Sequence, residues 1–166
     1  LSLLATSFWW LHAIILLAFL NYLPYSKHMH ILAAIPNCFL RSFGKVNTLP
    51  REEFTAGKTF GVGAVDGFTW KDLFDSYSCT ECGRCTSVCP ANITGKTLSP
   101  RKIIINVRER LDEKAPFLSG SGRGDAAVVE AILGKSLLDN YITEEELWSC
   151  TTCGACVQEC PVSIDQ

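Results

Sequence analysis

The sequence predicts a mainly α-helical chain in two parts: a membrane-spanning helix at the N-terminal end, then a helical domain organised by cysteines. Three observations lead there. Leu1–Ser26 contain no Asp, Glu, Lys or Arg. The later segments carry helix caps followed by apolar residues at helical spacing. Eight of the nine Cys fall into two runs of identical spacing.

The first stretch, Leu1–Leu23, is long enough to cross a bilayer, which takes about 20 apolar residues. A secretory signal would be shorter and would open on a charged region. A buried soluble helix would be one-sided, and this segment is apolar nearly all round. Lys27, Arg41, Lys45 and Arg51 all precede the first acid, Glu52. A Lys/Arg excess beside a helix end marks the cytoplasmic side. The helix is therefore expected to sit in the cell inner membrane and to leave it near Lys27, with the Cys-rich part in the cytoplasm. In that reducing compartment nine Cys do not form a disulfide framework. A net charge of −2 and the lack of a long basic run give no reason to expect a nucleic-acid partner. The chain has no initiator Met and stops six residues after its last Cys. It is expected to belong to something larger.

The expected organisation is a transmembrane helix over 1–26, a juxtamembrane segment and linker over 27–69, and the Cys-rich domain over 70–166. Pro24, Pro36 and Pro50 punctuate the juxtamembrane region, where Ile31–Phe43 is apolar and suits the membrane surface. Residues 51–69 are Gly-rich and read as a linker or an irregular docking segment. Trp70–Ser78 forms a short helix leading into the first Cys run. Ser99 caps a helix with Pro100 at its first position. Its Ile103, Ile104, Val107 and Leu111 share one apolar face through about Lys114. Ser119–Gly124 is a Gly/Ser loop that follows no strand, so it is no phosphate cradle. Asp125–Leu138 is a second helix with a break at Gly134. Thr143 and Glu146 form a capping box that starts a third. Glu144–Glu146 are first-turn charge, and no catalytic constellation stands out, so no catalytic residue is assigned.

The chain repeats itself. A shift of 71 residues lays Ser78, Cys79, Thr80, Cys82, Gly83, Cys85, Cys89, Pro90 and Ile93 on Ser149, Cys150, Thr151, Cys153, Gly154, Cys156, Cys160, Pro161 and Ile164. Each copy reads C-x2-C-x2-C-x3-C-P, the signature of bacterial two-cluster ferredoxins, in which the fourth Cys binds the other cluster. The chemistry fits the spacing. A cubane cluster offers four iron corners, each taking one soft thiolate. Three closely spaced Cys wrap three corners; the fourth is carried past, and Pro turns the chain away. Cys79, Cys82, Cys85 and Cys160 are thus expected to hold one [4Fe–4S] cluster. Cys150, Cys153, Cys156 and Cys89 are expected to hold the other. Gly83 and Gly154 would let the backbone approach each cube. Structural zinc prefers two separated knuckles to four Cys in one run. The ninth, Cys38, reads as a plain buried thiol far from either run.

Three His remain. His12 lies within the membrane segment, where an ionisable residue is a functional hypothesis by default. His12 and His30 are 18 residues apart, five whole turns of a continuous helix, which puts them on one face about 27 Å apart. That suits one axial ligand to each of two stacked b-type haems. His28 would point away and fits an interfacial role better. Further haem ligands would have to come from other helices.

Trp10-Leu11-His12 through Pro24-Tyr25-Ser26-Lys27-His28-Met29-His30 resembles the last helix of the respiratory nitrate reductase gamma-subunit family, which holds two b haems. Cys79-Thr-Glu-Cys82-Gly-Arg-Cys85 and Ser149-Cys150-Thr-Thr-Cys153-Gly-Ala-Cys156 resemble heterodisulfide-reductase-like iron–sulfur domains. The fusion resembles membrane-bound oxidoreductases that link electron-transfer flavoprotein to menaquinone. The earlier membrane helices and the Cys-rich CCG domains of those families are missing from this sequence. The resemblance implies a mainly α fold: the C-terminal part of a transmembrane helical haem domain followed by an α-helical two-cluster ferredoxin-like domain. It also implies haem b at His12 and His30, a quinone and an electron-transfer flavoprotein as partners, and membership of a multi-subunit complex. Two alternatives stay open: a haem-free iron–sulfur electron-transfer subunit, and a subunit of a thiol/disulfide reductase.

Overall fold

The computed structural model describes residues 2–26, 28–44, 54 and 61–166. Lys27, Lys45, Arg51 and Glu52, which carry most of the sidedness argument, lie outside these residues. The described chain is mainly helical and contains no strand, only an isolated bridge between Leu138 and Ile142.

Helix α1 (Ser2–Tyr22) buries none of its residues. Three of its polar side chains turn back on their own helix. Thr6 donates to the Ser2 carbonyl at 3.0 Å, Ser7 to Leu3 at 2.9 Å and Asn21 to Leu17 at 2.8 Å. Such internal satisfaction is what a hydrocarbon surrounding demands. With the 3-10 turn Leu23–Tyr25 it forms a 24-residue stretch long and apolar enough to cross a membrane.

The helix does not continue. Pro24 lacks the N–H that would extend it, and Ser26 is extended (φ −114°, ψ 167°). The Ser26 hydroxyl then accepts from the His28 N–H at 3.2 Å, and α2 (Met29–Phe39) begins. This corrects the expectation for the histidines: His12 and His30 stand on different helices, so five turns of one helix do not relate them. On α2, Ala33 and Asn37 are buried one turn apart, while Ile31, Ile35 and Phe39 are exposed. The segment expected at the membrane surface is therefore two-faced, and its inner face packs on the Cys-rich domain.

Helix α3 (Trp70–Ser78) spans the predicted residues and opens with an unforeseen capping box. The Asp72 N–H donates to Thr69 Oγ1 at 3.3 Å, and the Thr69 N–H to Asp72 Oδ2 at 2.9 Å. Two single turns come next, α4 (Arg84–Ser87) within the first Cys run and α5 (Pro90–Ile93) directly after it. Helix α6 (Pro100–Leu118) is the spine. Ser99 caps it by accepting from the Lys102 N–H at 3.4 Å. It runs past the expected end near Lys114 to Leu118, with Pro116 inside its last turn.

Ile103, Ile104 and Val107 on α6 reach three small cores. Val65, Leu137 and Ile142 pack around Val107; Cys79, Val162 and Ile164 around Ile104; Cys89, Ala91 and Leu98 against Ile103. Each such buried branched side chain stabilises by about 2 kcal/mol. Leu111, at the end of the predicted face, is only partly buried. Val65 brings the end of the Gly-rich stretch into the core, as a docking segment does. Helix α7 (Ala126–Leu133) stops at Gly134, the predicted break, but does not resume over 135–138 as expected. Its end is met by Arg110 of α6, 1% exposed, whose Nη2 donates to the Ile132 carbonyl at 2.9 Å, to that of Leu133 at 3.4 Å and, just past the helix, to that of Lys135 at 2.7 Å. Helices α8 (Glu144–Trp148) and α9 (Ala155–Gln158) complete the chain, α8 beginning with the predicted Thr143–Glu146 box.

Candidate metal centres

The repeat in sequence is a repeat in backbone. Cys79 ends α3 in an extended conformation, and Glu81 then turns left-handed at φ 54°, as Thr152 does in the second copy at φ 52°. Gly83 and Gly154 follow at φ 80° and 73°, a region that L side chains enter at a cost. Each glycine precedes a single helical turn, α4 or α9, that carries the third Cys. Ser78 and Ser149 anchor the approaches alike, donating to the Phe74 and Glu145 carbonyls at 2.9 and 2.8 Å.

Two hollows lie beside these loops. The smaller is lined by Cys79, Cys82, Cys85 and Cys160, with Gly83, Pro161, Val162 and Ile164. The larger, about 700 Å³, is lined by Cys150, Cys153, Cys156 and Cys89, and also by Cys160, Arg41 and Phe43, so Cys160 borders both hollows. Each fourth Cys thus stands beside the other run's three. Among the described residues no three Cys, His, Asp or Glu side chains converge on the point a single ion would occupy. The thiols ring hollows, as donors to the separate corners of a cube must.

Backbone N–H groups reach these sulfurs. Thr152 donates to Cys150 Sγ and Ile164 to Cys160 Sγ, both at 3.4 Å. The Arg84 N–H, aided by its guanidinium charge, lowers the Cys82 thiol below its ordinary value. The Ala155 N–H does the same for Cys153. Burial raises Cys79 and Cys85 and pushes Cys156 to about 11. A bound iron would displace those protons, because only the thiolate ligates. Eight paired-off thiols, N–H groups aimed at sulfur and two left-handed glycines fit a pair of cubane clusters.

The other sequence candidates are placed differently. His12 is exposed on α1 and His30 is partly buried in the first turn of α2. The rings of His28 and His30 lie 6.5 Å apart, inclined by 29°. Cys38 corrects its expectation twice. It is exposed, and its Sγ lies 3.9 Å from the Pro161 carbonyl, next to Cys160, because α2 docks there. Sequence reasoning missed Asn37 and Asp75, which make that contact. Their only signal was two polar residues inside otherwise ordinary helical stretches.

The 4Fe-4S dicluster domain family matches residues 78–164. The chain is 38% identical over 93% of its length to the probable iron-sulfur-binding oxidoreductase FadF of Bacillus subtilis, covering 25% of that protein. It is 35% identical over 95% of its length to an EtfAB:quinone oxidoreductase of Syntrophomonas wolfei, covering 24% of it. A probable membrane-anchored ferredoxin of Chromohalobacter salexigens is 36% identical over 66% of the chain, which covers 18% of it. The chain therefore spans about a quarter or less of these relatives. No solved structure matches it. The chain belongs to the 4Fe-4S dicluster domain family and is an iron–sulfur electron-transfer protein with two [4Fe–4S] clusters.

Proposed function

We propose that this chain is the cytoplasmic relay of a quinone-linked oxidoreductase anchored in the cell inner membrane. It passes single electrons between a soluble donor, an electron-transfer flavoprotein, and the membrane quinone pool, within a multi-subunit complex. Cys79, Cys82, Cys85 and Cys160 hold one cluster; Cys150, Cys153, Cys156 and Cys89 hold the other. His12 and His30 are axial ligands to b haems completed by further membrane helices. The observation that carries the reading is Cys160 lining the hollow of the first run, far from it in sequence. Shared walls bring two redox centres close together, which suits transfer better than storage. The names of the FadF and EtfAB:quinone oxidoreductase relatives support the same chemistry.

When bound, the clusters and haems supply reversible one-electron exchange; the chain supplies their spacing, orientation and electrostatic surroundings. The test is a reduced-minus-oxidised optical spectrum of the full-length protein, purified anaerobically in detergent. Sharp b-type haem bands over a broad iron–sulfur bleaching are expected. Bleaching alone overturns the haem assignment and leaves the second reading, a membrane-anchored cluster subunit without haem. The break between α1 and α2 and the membrane-anchored ferredoxin relative both favour that alternative.

A further inference from the structure

We propose that the cluster held by Cys79, Cys82, Cys85 and Cys160 is the membrane-side member of the pair, and that Asn37 is the positioning residue that fastens it there. The inference rests on the two-cluster reading and does not need the haems.

Asn37 is wholly buried on α2, the helix that follows the membrane stretch. Its Nδ2 donates to Asp75 Oδ1 at 2.7 Å and to the Val162 carbonyl at 2.9 Å. Asp75, 1% exposed on α3, also takes the Lys71 ammonium at 2.8 Å and the Asp165 N–H at 3.4 Å. One amide thus joins three pieces of chain: the membrane-side helix, the helix that ends at Cys79, and the segment that carries Cys160. Beside it the Ser78 hydroxyl donates to the Ala33 carbonyl at 3.3 Å, and Ala34 and Cys160 both pack against the cluster of Cys79, Val162 and Ile164.

A buried amide is costly unless its groups are paired, and Asn37 Oδ1 has no partner among the described residues. An apolar residue would avoid that cost but would leave the buried Asp75 carboxylate and the Val162 carbonyl without this donor. What Asn adds is direction: two donors that fix the register of α2 against both Cys-bearing segments.

Position along α2 then ranks the hollows. Its first turn carries His30 and adjoins the membrane stretch. Ala34 and Asn37, one and two turns further on, pack behind the wall of the hollow of Cys79 and Cys160, Ala34 against the cluster of Cys79, Val162 and Ile164 and Asn37 on the Val162 carbonyl. Only past the end of the helix do Arg41–Gly44 reach the hollow of Cys150, Cys153 and Cys156. Exposure does not separate the two sets, since each has one buried thiol, Cys79 or Cys89, and at least one exposed, Cys82 or Cys150 and Cys153. On the order along α2, the second hollow is the one turned to the soluble donor.

The test uses the full-length protein with Cys38→Ser, so that a nitroxide can be attached at Tyr25→Cys beside the end of α1. Relaxation of the label by the reduced cluster that remains is compared between Cys153→Ser and Cys82→Ser. Stronger enhancement in Cys153→Ser is expected, since the Cys79-side cluster survives there. Equal or reversed enhancement overturns the proposed order. Adding Asn37→Leu should abolish the enhancement while the cluster signal persists; retained enhancement removes Asn37 from the positioning role. If Asn37→Leu does not accumulate, Asn37→Ser, whose hydroxyl is too short to reach both acceptors, replaces it under the same criterion. Loss of the same cluster signal in Cys82→Ser and Cys153→Ser would instead overturn the two-cluster reading.

Discussion

Gly83 and Gly154 were legible in the sequence as repeated glycines inside the Cys runs, where close approach to a cube explains them. The structure supplies a second reason, since both hold positive φ. At Gly83 an added Cβ meets only the Arg101 guanidinium, at 3.7 Å, so space is not the obstacle. Gly83→Ala should therefore cost about 1–2 kcal/mol through the backbone alone. Urea unfolding of the anaerobic protein, followed by loss of cluster absorbance, measures this; an unchanged midpoint would mean that the loop relaxes to another conformation. Asn37, Asp75 and Arg110 were not legible. Each is polar in a helix, and nothing local separates a polar residue facing water from one facing a distant carbonyl. The partners of Asn37 and Arg110 lie on segments whose approach depends on the whole packing.

Caps and breaks were the readable part of the elements. Thr143–Glu146, Ser99–Pro100 and Gly134 act where the sequence put them, because each works through bonds to its own turn. Thr143→Ala should lower stability by about 1 kcal/mol in urea unfolding. Glu146 adds a pH dependence. The Lys102 ammonium, then the Thr143 N–H, hold its carboxyl below the ordinary value of 4.5. The stabilisation is present above that value and is lost as pH falls through the lowered one. Wild type should therefore exceed Glu146→Gln in urea midpoint near neutral pH, and the gap should narrow as pH falls below 4.5. A gap that stays constant would assign the effect to packing. The interruption between α1 and α2 was only partly legible. Pro24 marks it, but a proline can also kink a helix that continues, and only the extended Ser26 shows that this one stops.

At the scale of the whole chain, the repeat exposed the two-cluster domain because eight thiols and two glycines serve one chemistry twice. The docking of α2 stayed hidden, since the same apolar residues suit a membrane surface and a protein surface. Two ends of the proposed relay can be separated. His30→Ala should remove one b-type haem band from the optical spectrum and leave both cluster signals; two remaining haems would move the ligand elsewhere. The central claim is that the two runs exchange their fourth cysteines. The most direct measurement is low-temperature electron paramagnetic resonance of the reduced full-length protein in Cys82→Ser, Cys89→Ser and Cys153→Ser. Crossed ligation predicts that Cys89→Ser alters the same cluster signal as Cys153→Ser and leaves the one altered by Cys82→Ser. If Cys89→Ser instead matches Cys82→Ser, each run holds its own cluster and the account is wrong.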